Sequence, residues 1–153
     1  MTTALEGLRV VELSTGMAGA MAGMVLCENG AEVIKVEGPA GDPTRRSPGF
    51  LVWHRGKRSA VLDLRTPTDV ERFHELLSGS DALINALRPG ATDALGLGSD
   101  ALAARHPHLI EVVITGFGER GPLAGWPGYE GLIAAVSGRM ATLNGYRPGP
   151  IFT

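Results

Sequence analysis

The chain has 153 residues, 44% hydrophobic and 20% charged, with 22 glycines and 10 prolines, a composition that fits one turn-rich globular domain and excludes disorder. A net charge of -2 and a pI near 6.1 supply no basic field for a phosphate backbone, so nucleic acid is not an expected partner. Cys27 is the only cysteine, and no apolar run reaches the ~20 residues of a membrane span; the expectation is a cytoplasmic protein with no disulfide, metal or membrane partner.

Leu8 to Leu13 (LRVVEL) reads as a buried parallel strand, short and rich in Val and Leu before a Gly-containing turn. Ala18 to Asn29 reads as a helix closed by Gly30. Ala31 to Glu37 and Ser59 to Leu64 are the next strands, separated by a loop from Gly38 to Arg58 that is long for a compact domain and therefore functional or edge-lying. Thr66-Pro67 starts a helix by chemistry: Thr caps the orphan amides, Pro fits the first position, and Asp69 and Glu71 favour the positive end. Val70, Phe73, Leu76 and Leu77 share its apolar face. Asp81 to Leu87 and His108 to Thr115 are the last strands, with short helical turns around Asp93 and from Ala101 to Arg105. A final helix runs from Glu130 to about Thr142, weakened by Gly138.

This alternation predicts an α/β fold, a Rossmann-like parallel sheet with helices on both faces. Ligands then sit beyond the carboxyl ends of the strands, at the loops Ser14 to Gly19, Gly38 to Lys57, Asn85 to Gly90 and Gly116 to Glu130. The glycines at 16, 19 and 23 fit the dinucleotide fingerprint poorly, and their simplest role is to let a helix pack tightly on the sheet. Glu37, at the end of a strand, mimics the acid that binds an adenosine ribose and keeps an NAD-binding module open as an alternative.

Six motifs in fixed order carry a further signal: LEGLRVVELS, GAEVIKVEGPAGDPTR, RGKRSAVLDL, ALRPGATDALGLG, HPHLIEVVITGFGERGP and PGYEGLIAAVSG. Together they resemble family III CoA-transferases, the CaiB-BaiF family, over nearly the whole chain. The resemblance implies transfer of coenzyme A from an acyl-CoA to a carboxylic acid through an enzyme-bound anhydride and thioester, with no permanent cofactor and an interlocked homodimer. It also implies that residues 1–153 are the N-terminal portion of a large domain, with a second domain elsewhere. Gly16, Met17 and Ala18 match the family's CoA-contacting turn, and Leu62 and Arg65 match positions against the adenine and its phosphates. Related oxalate-handling transferases often carry glutamine where Met17 stands, so a more apolar acyl group is expected. Asp42 and Arg45 are expected to order their loop by a mutual salt bridge. Gly38 and Ala94 stand where the family often has cations; Arg45, Arg46, Arg55, Lys57, Arg58 and Arg88 are the rim cations that could substitute.

Related α-methylacyl-CoA racemases place a histidine where this chain has Tyr129, which favours transfer over racemisation. The histidines at 54, 74, 106 and 108 read as surface or turn residues. Glu130 matches an acidic position near the acyl group. The family's nucleophilic aspartate lies a little beyond a run that is Gly145 to Pro150 here, and the aspartates at 42, 63, 69, 81, 93 and 100 stand in other motifs. The chain is therefore expected to bind without turnover. A racemase-like isomerase and a non-catalytic CoA-binding or assembly fragment remain the alternatives.

Overall fold

The runs of Val, Ile and Leu separated by Gly-closed helices assemble into one parallel sheet. The computed structural model describes residues 3–142; the Gly145 to Pro150 run lies outside them. The chain divides into two compact units, Met1–Ile114 and Thr115–Thr153, where length alone suggested one.

The first unit runs β1 (Arg9–Ser14), α1 (Met17–Glu28), β2 (Glu32–Glu37), a 3-10 turn (Pro43–Arg46), α2 (Gly49–Trp53), β3 (Arg58–Val61) and α3 (Pro67–Ser78). It continues with β4 (Ala82–Ala86), a 3-10 turn (Asp93–Leu95), α4 (Ser99–Arg105) and β5 (Ile110–Val113). Every pairing is parallel and the strand order is β3-β2-β1-β4-β5. Thr66 caps α3 by accepting from the Asp69 amide, and Phe73 and Leu77 are fully buried on its inner face. The long loop after β2 is less irregular than its sequence suggests. Asp42 accepts the Thr44 amide at 2.7 Å to start the 3-10 turn, and α2 follows, at five residues too short to show a periodicity.

Side chains alternate across the strands and divide the core in two. Val11, Leu13, Val36 and Leu83 face Phe73 and Leu77 of α3 and Leu102 of α4. Val10, Val33 and Ile84 face Ala22, Leu26 and Cys27 of α1. Helices thus cover both faces, as the sequence implied. On the α1 face the alternation that buries Val10 and Val33 also buries Glu12 and Lys35, which are register partners on adjacent strands. The inner side of α1 opposite them is Gly19, Ala20 and Gly23, all buried. A Cβ on Gly19 would meet those of Ser14 and Ala86 at 2.5 and 2.7 Å, and one on Gly23 would meet the Glu12 carboxylate at 2.2 Å.

In the second unit a loop separates Thr115 from α5 (Glu130–Val136) and α6 (Arg139–Thr142). Gly116 and Gly128 approach backbone to backbone: a Cβ on Gly116 would lie 2.5 Å from the Gly128 Cα. The ring of Phe117 meets Trp126 edge-on at 6.3 Å. The single final helix of the sequence reading is in fact two, because Gly138 adopts a positive φ of 75°.

Alanine in place of a helical glycine ordinarily stabilises by about 1 kcal/mol. At Gly23 the collision with Glu12 reverses the sign, and Gly23→Ala is expected to destabilise the fold by about 1–3 kcal/mol in a urea titration.

Candidate functional site

Strand order reverses between β1 and β4, since β2 and β3 build outward on one side and β5 on the other. The crevice beyond the carboxyl ends of these two central strands is where such sheets hold ligands. The turn that enters it is Thr15-Gly16, followed by the first turn of α1. Gly16 has φ 83° with open space around it, and α1 begins without a side-chain cap, so its leading amides have no intrahelical acceptor. Met17 is half exposed and Ala18 is exposed. The structure therefore brings Gly16, Met17 and Ala18 together at the switch point.

Leu62 and Arg65 follow β3 on the same edge, but β2 lies between β3 and β1, so a ligand touching both groups spans two strand spacings, about 10 Å. Leu62 departs from the adenine platform expected of it. Its side chain is 7% exposed and belongs to the core beside Val36 and Leu64, while its amide bonds the Glu37 carbonyl at 2.9 Å. Val61, the preceding residue, is the exposed apolar side chain there. Arg65 is exposed, and its fork already grips Asp63 at 2.7 and 2.9 Å, an ion pair that holds the Asp63 carboxyl below its ordinary range.

Beneath this edge lies a buried ion network that the sequence reading missed. The Lys57 ammonium donates to Glu12 Oε2 and the Ala20 carbonyl, each at 2.6 Å, and lies 3.3 Å from His54 Nδ1. The Lys35 ammonium reaches Glu12 Oε1 at 3.3 Å, the Ser14 carbonyl at 2.9 Å and Asp42 Oδ2 at 2.9 Å. Burial lowers the Lys57 pKa, and burial with the nearby Lys57 and Lys35 lowers that of His54. Arg45 pairs bidentately with Glu37, both bonds 2.7 Å, and the Asp42 amide donates to the same carboxylate at 2.9 Å. This corrects two expectations. Arg45 does not pair with Asp42, whose carboxylate is spent on Thr44 and Lys35; and Glu37, 4% exposed and fully partnered, is not available to a ribose. Three carboxylates therefore meet three cations. The available signal was the opposite charges of Glu12 and Lys35, each two residues from the carboxyl end of its strand and flanked by apolar residues.

The rim is correspondingly poorer in free cations. Lys57 is buried, Arg55 pairs with Glu28, and Arg58 pairs with Glu32. Arg46 and Arg88 are exposed and have no carboxylate partner among the described residues. Glu130, in the second unit, is exposed at the start of α5, after Tyr129, which is 73% exposed. His74 and His106 are not surface residues: both are buried, with Nδ1 of the first 2.9 Å from Nε2 of the second, joining α3 to the end of α4. A depression of about 200 Å³ lies at the opposite, amino ends of β1 to β3, but its arginines Arg9 and Arg58 both face Glu32.

The sequence profile described as CoA-transferase family III matches residues 5–152. The chain is 39% identical over 145 residues to a protein of Mycobacterium tuberculosis named a probable fatty acyl-CoA transferase, covering 88% of this chain and 37% of that one. It is 38% identical over 146 residues to the human succinyl-CoA:glutarate CoA-transferase, covering 89% of this chain and 33% of the relative. The crystal structure of a CAIB/BAIF family protein from Brucella suis superposes with a TM-score of 0.91 at 37% identity, over 100% of this chain and 44% of that one. A putative β-ketoacyl-ACP reductase, 21% identical with a TM-score of 0.51, shares the fold alone. The chain thus spans well under half the length of the curated relatives it matches.

Burial holds His54, His74 and His106 below the ordinary histidine pKa. The unfolded chain takes up those protons near pH 6.5 and the folded chain only at lower pH, so stability is complete above pH 6.5 and falls as pH drops from there toward the folded values. Thermal melting followed by circular dichroism should show a lower Tm at pH 5.5 than at pH 7.5, with a smaller drop in His74→Gln.

Proposed function

Since the chain belongs to CoA-transferase family III, we propose that it forms the CoA-binding nucleotide fold of an enzyme that moves coenzyme A from an acyl-CoA to a carboxylic acid. The observation that carries this reading is the uncapped start of α1 behind Gly16, at the point where strand order reverses. Free amides and the positive helix end suit a pyrophosphate or a thioester oxygen. The exposed Arg46 and Arg88 suit the remaining phosphates better than Arg65, whose fork must first leave Asp63. Met17, half exposed beside the turn, suits an apolar acyl group.

In the reaction so proposed, an enzyme carboxylate attacks the thioester carbon and the CoA thiolate leaves, giving a mixed anhydride. The thiolate returns to the enzyme's acyl carbon and frees the donor acid. The acceptor carboxylate then attacks the enzyme thioester, forming a second anhydride and again releasing the thiolate. Attack of that thiolate on the acceptor acyl carbon completes transfer and restores the enzyme carboxylate. Within the first unit the aspartates at 42, 63, 69 and 81 are engaged by Lys35, Arg65, Arg72 and the Arg9 amide respectively, which suits structural roles rather than that of nucleophile. Glu130 is proposed as an auxiliary acid. Tyr129, in place of a histidine, supports transfer over racemisation. Self-association into a homodimer is supported by the exposed stripe Met17, Met21 and Val25 along α1.

Isotope-labelled chain titrated with CoA should shift the amides of Gly16 to Gly19 and Arg88 together, and Arg88→Ala should weaken binding by about tenfold, the effect of one charge-assisted hydrogen bond. Shifts confined to the outer face of α3 would contradict the placement. Incubation of the 153-residue chain with acyl-CoA and labelled acids should give no exchange and no hydroxylamine-trappable adduct. A stoichiometric adduct would show that a carboxylate within these residues is the nucleophile. Sedimentation should show self-association that Met21→Glu reduces; a monomer at high concentration contradicts the dimer.

A further inference from the structure

The sequence contains two lysines against twelve arginines, and both lysines are buried on the same carboxylate. Arginine carries the exposed ion pairs, at positions such as 55, 58, 65, 72 and 105. An ammonium differs from a guanidinium in directing three donors tetrahedrally from one atom, so it can join groups converging on a point. Lys57 uses all three: Glu12 Oε2, the Ala20 carbonyl and His54 Nδ1. Lys35 donates to Glu12 Oε1, the Ser14 carbonyl and the Ser14 hydroxyl, and forms an ion pair with Asp42. The two carbonyls stand on either side of the exposed turn at the switch point. Ser14 closes β1 two residues before Gly16, and Ala20 lies two residues after Ala18 in the first turn of α1.

We infer that Lys57, acting with Lys35 through their shared Glu12, is a positioning residue for the Gly16 to Ala18 turn, fixing its two ends and so the direction in which its free amides point. The inference rests on the reading of that turn as the CoA contact. Gly23 belongs to the same device, because a side chain there would occupy the place of the Glu12 carboxylate and crowd Lys57 at 3.1 Å. Lys57 also ends the loop that begins at Gly38, and Asp42 within that loop pairs with Lys35, so the loop and the turn are tied to one carboxylate. No side chain caps α1.

A merely structural ion pair and a positioning one are separated by a double variant. Lys57→Met leaves Glu12 half unpaired, whereas Glu12→Gln with Lys57→Met removes the orphaned charge and still frees the Ala20 carbonyl. The double variant is expected to melt above the single one. At a temperature where it is folded by near-UV circular dichroism, it should exchange the amides of Ala20 and Met21, the first that bond within α1, about tenfold faster than the unaltered chain and bind CoA about tenfold more weakly. Unaltered exchange at those amides in the folded double variant overturns the inference whether or not CoA binds. Failure of the unaltered chain to bind CoA in calorimetry overturns the ligand reading, and the exchange rates still decide the positioning role.

Discussion

A carboxylate with no solvent exposure, shared by two buried ammonium groups, organises the first unit of this chain. Glu12 sits in a strand covered on both faces, where a lone charge would be expelled or neutralised. It is kept there because Lys35 is its register neighbour on β2 and Lys57 arrives from the end of the long loop. Removing one partner of such a pair costs roughly 3–5 kcal/mol, far more than an exposed pair contributes. The dependence runs outward from there. Small residues at 19, 20 and 23 let α1 approach the ions, the helix start falls at the switch point, and Asp42 and Glu37 fold the loop back over the edge.

The network also distinguishes this edge from that of a dinucleotide dehydrogenase built on the same sheet. There an acid at the end of the second strand is free to bind a ribose. Here Glu37 occupies that place but is saturated by Arg45 and the Asp42 amide, so the position has become part of the scaffold. A fold shared with a reductase at 21% identity is a likeness of fold alone. The family match over residues 5–152 does separate the two.

Much of the fold was legible because it depends on local rules. Thr66-Pro67 and Gly30 mark helix ends by capping chemistry, and the Val-rich runs mark buried strands whatever surrounds them. The site was less legible because it depends on pairings across 23 and 45 residues. Arg45 chose Glu37 over the nearer Asp42, a choice fixed by how the loop folds back. His74 and His106 read as surface residues singly and are buried because each supplies the other's hydrogen bond. Leu62 fell in the core, past the end of β3 at Val61, three residues earlier than its composition suggests.

Amine acetylation tests this account most directly, because the chain's only two lysines are the two ammonium groups of the network. Treated with a water-soluble acetylating ester while folded, and then digested for mass spectrometry, the protein should carry no acetyl group on Lys35 or Lys57. Both should become modified when the same reaction is run in guanidinium chloride. Acetylation of either lysine in the folded chain, at a rate near that of the unfolded one, would contradict the buried network on which the turn, the loop and the placement of α1 all rest.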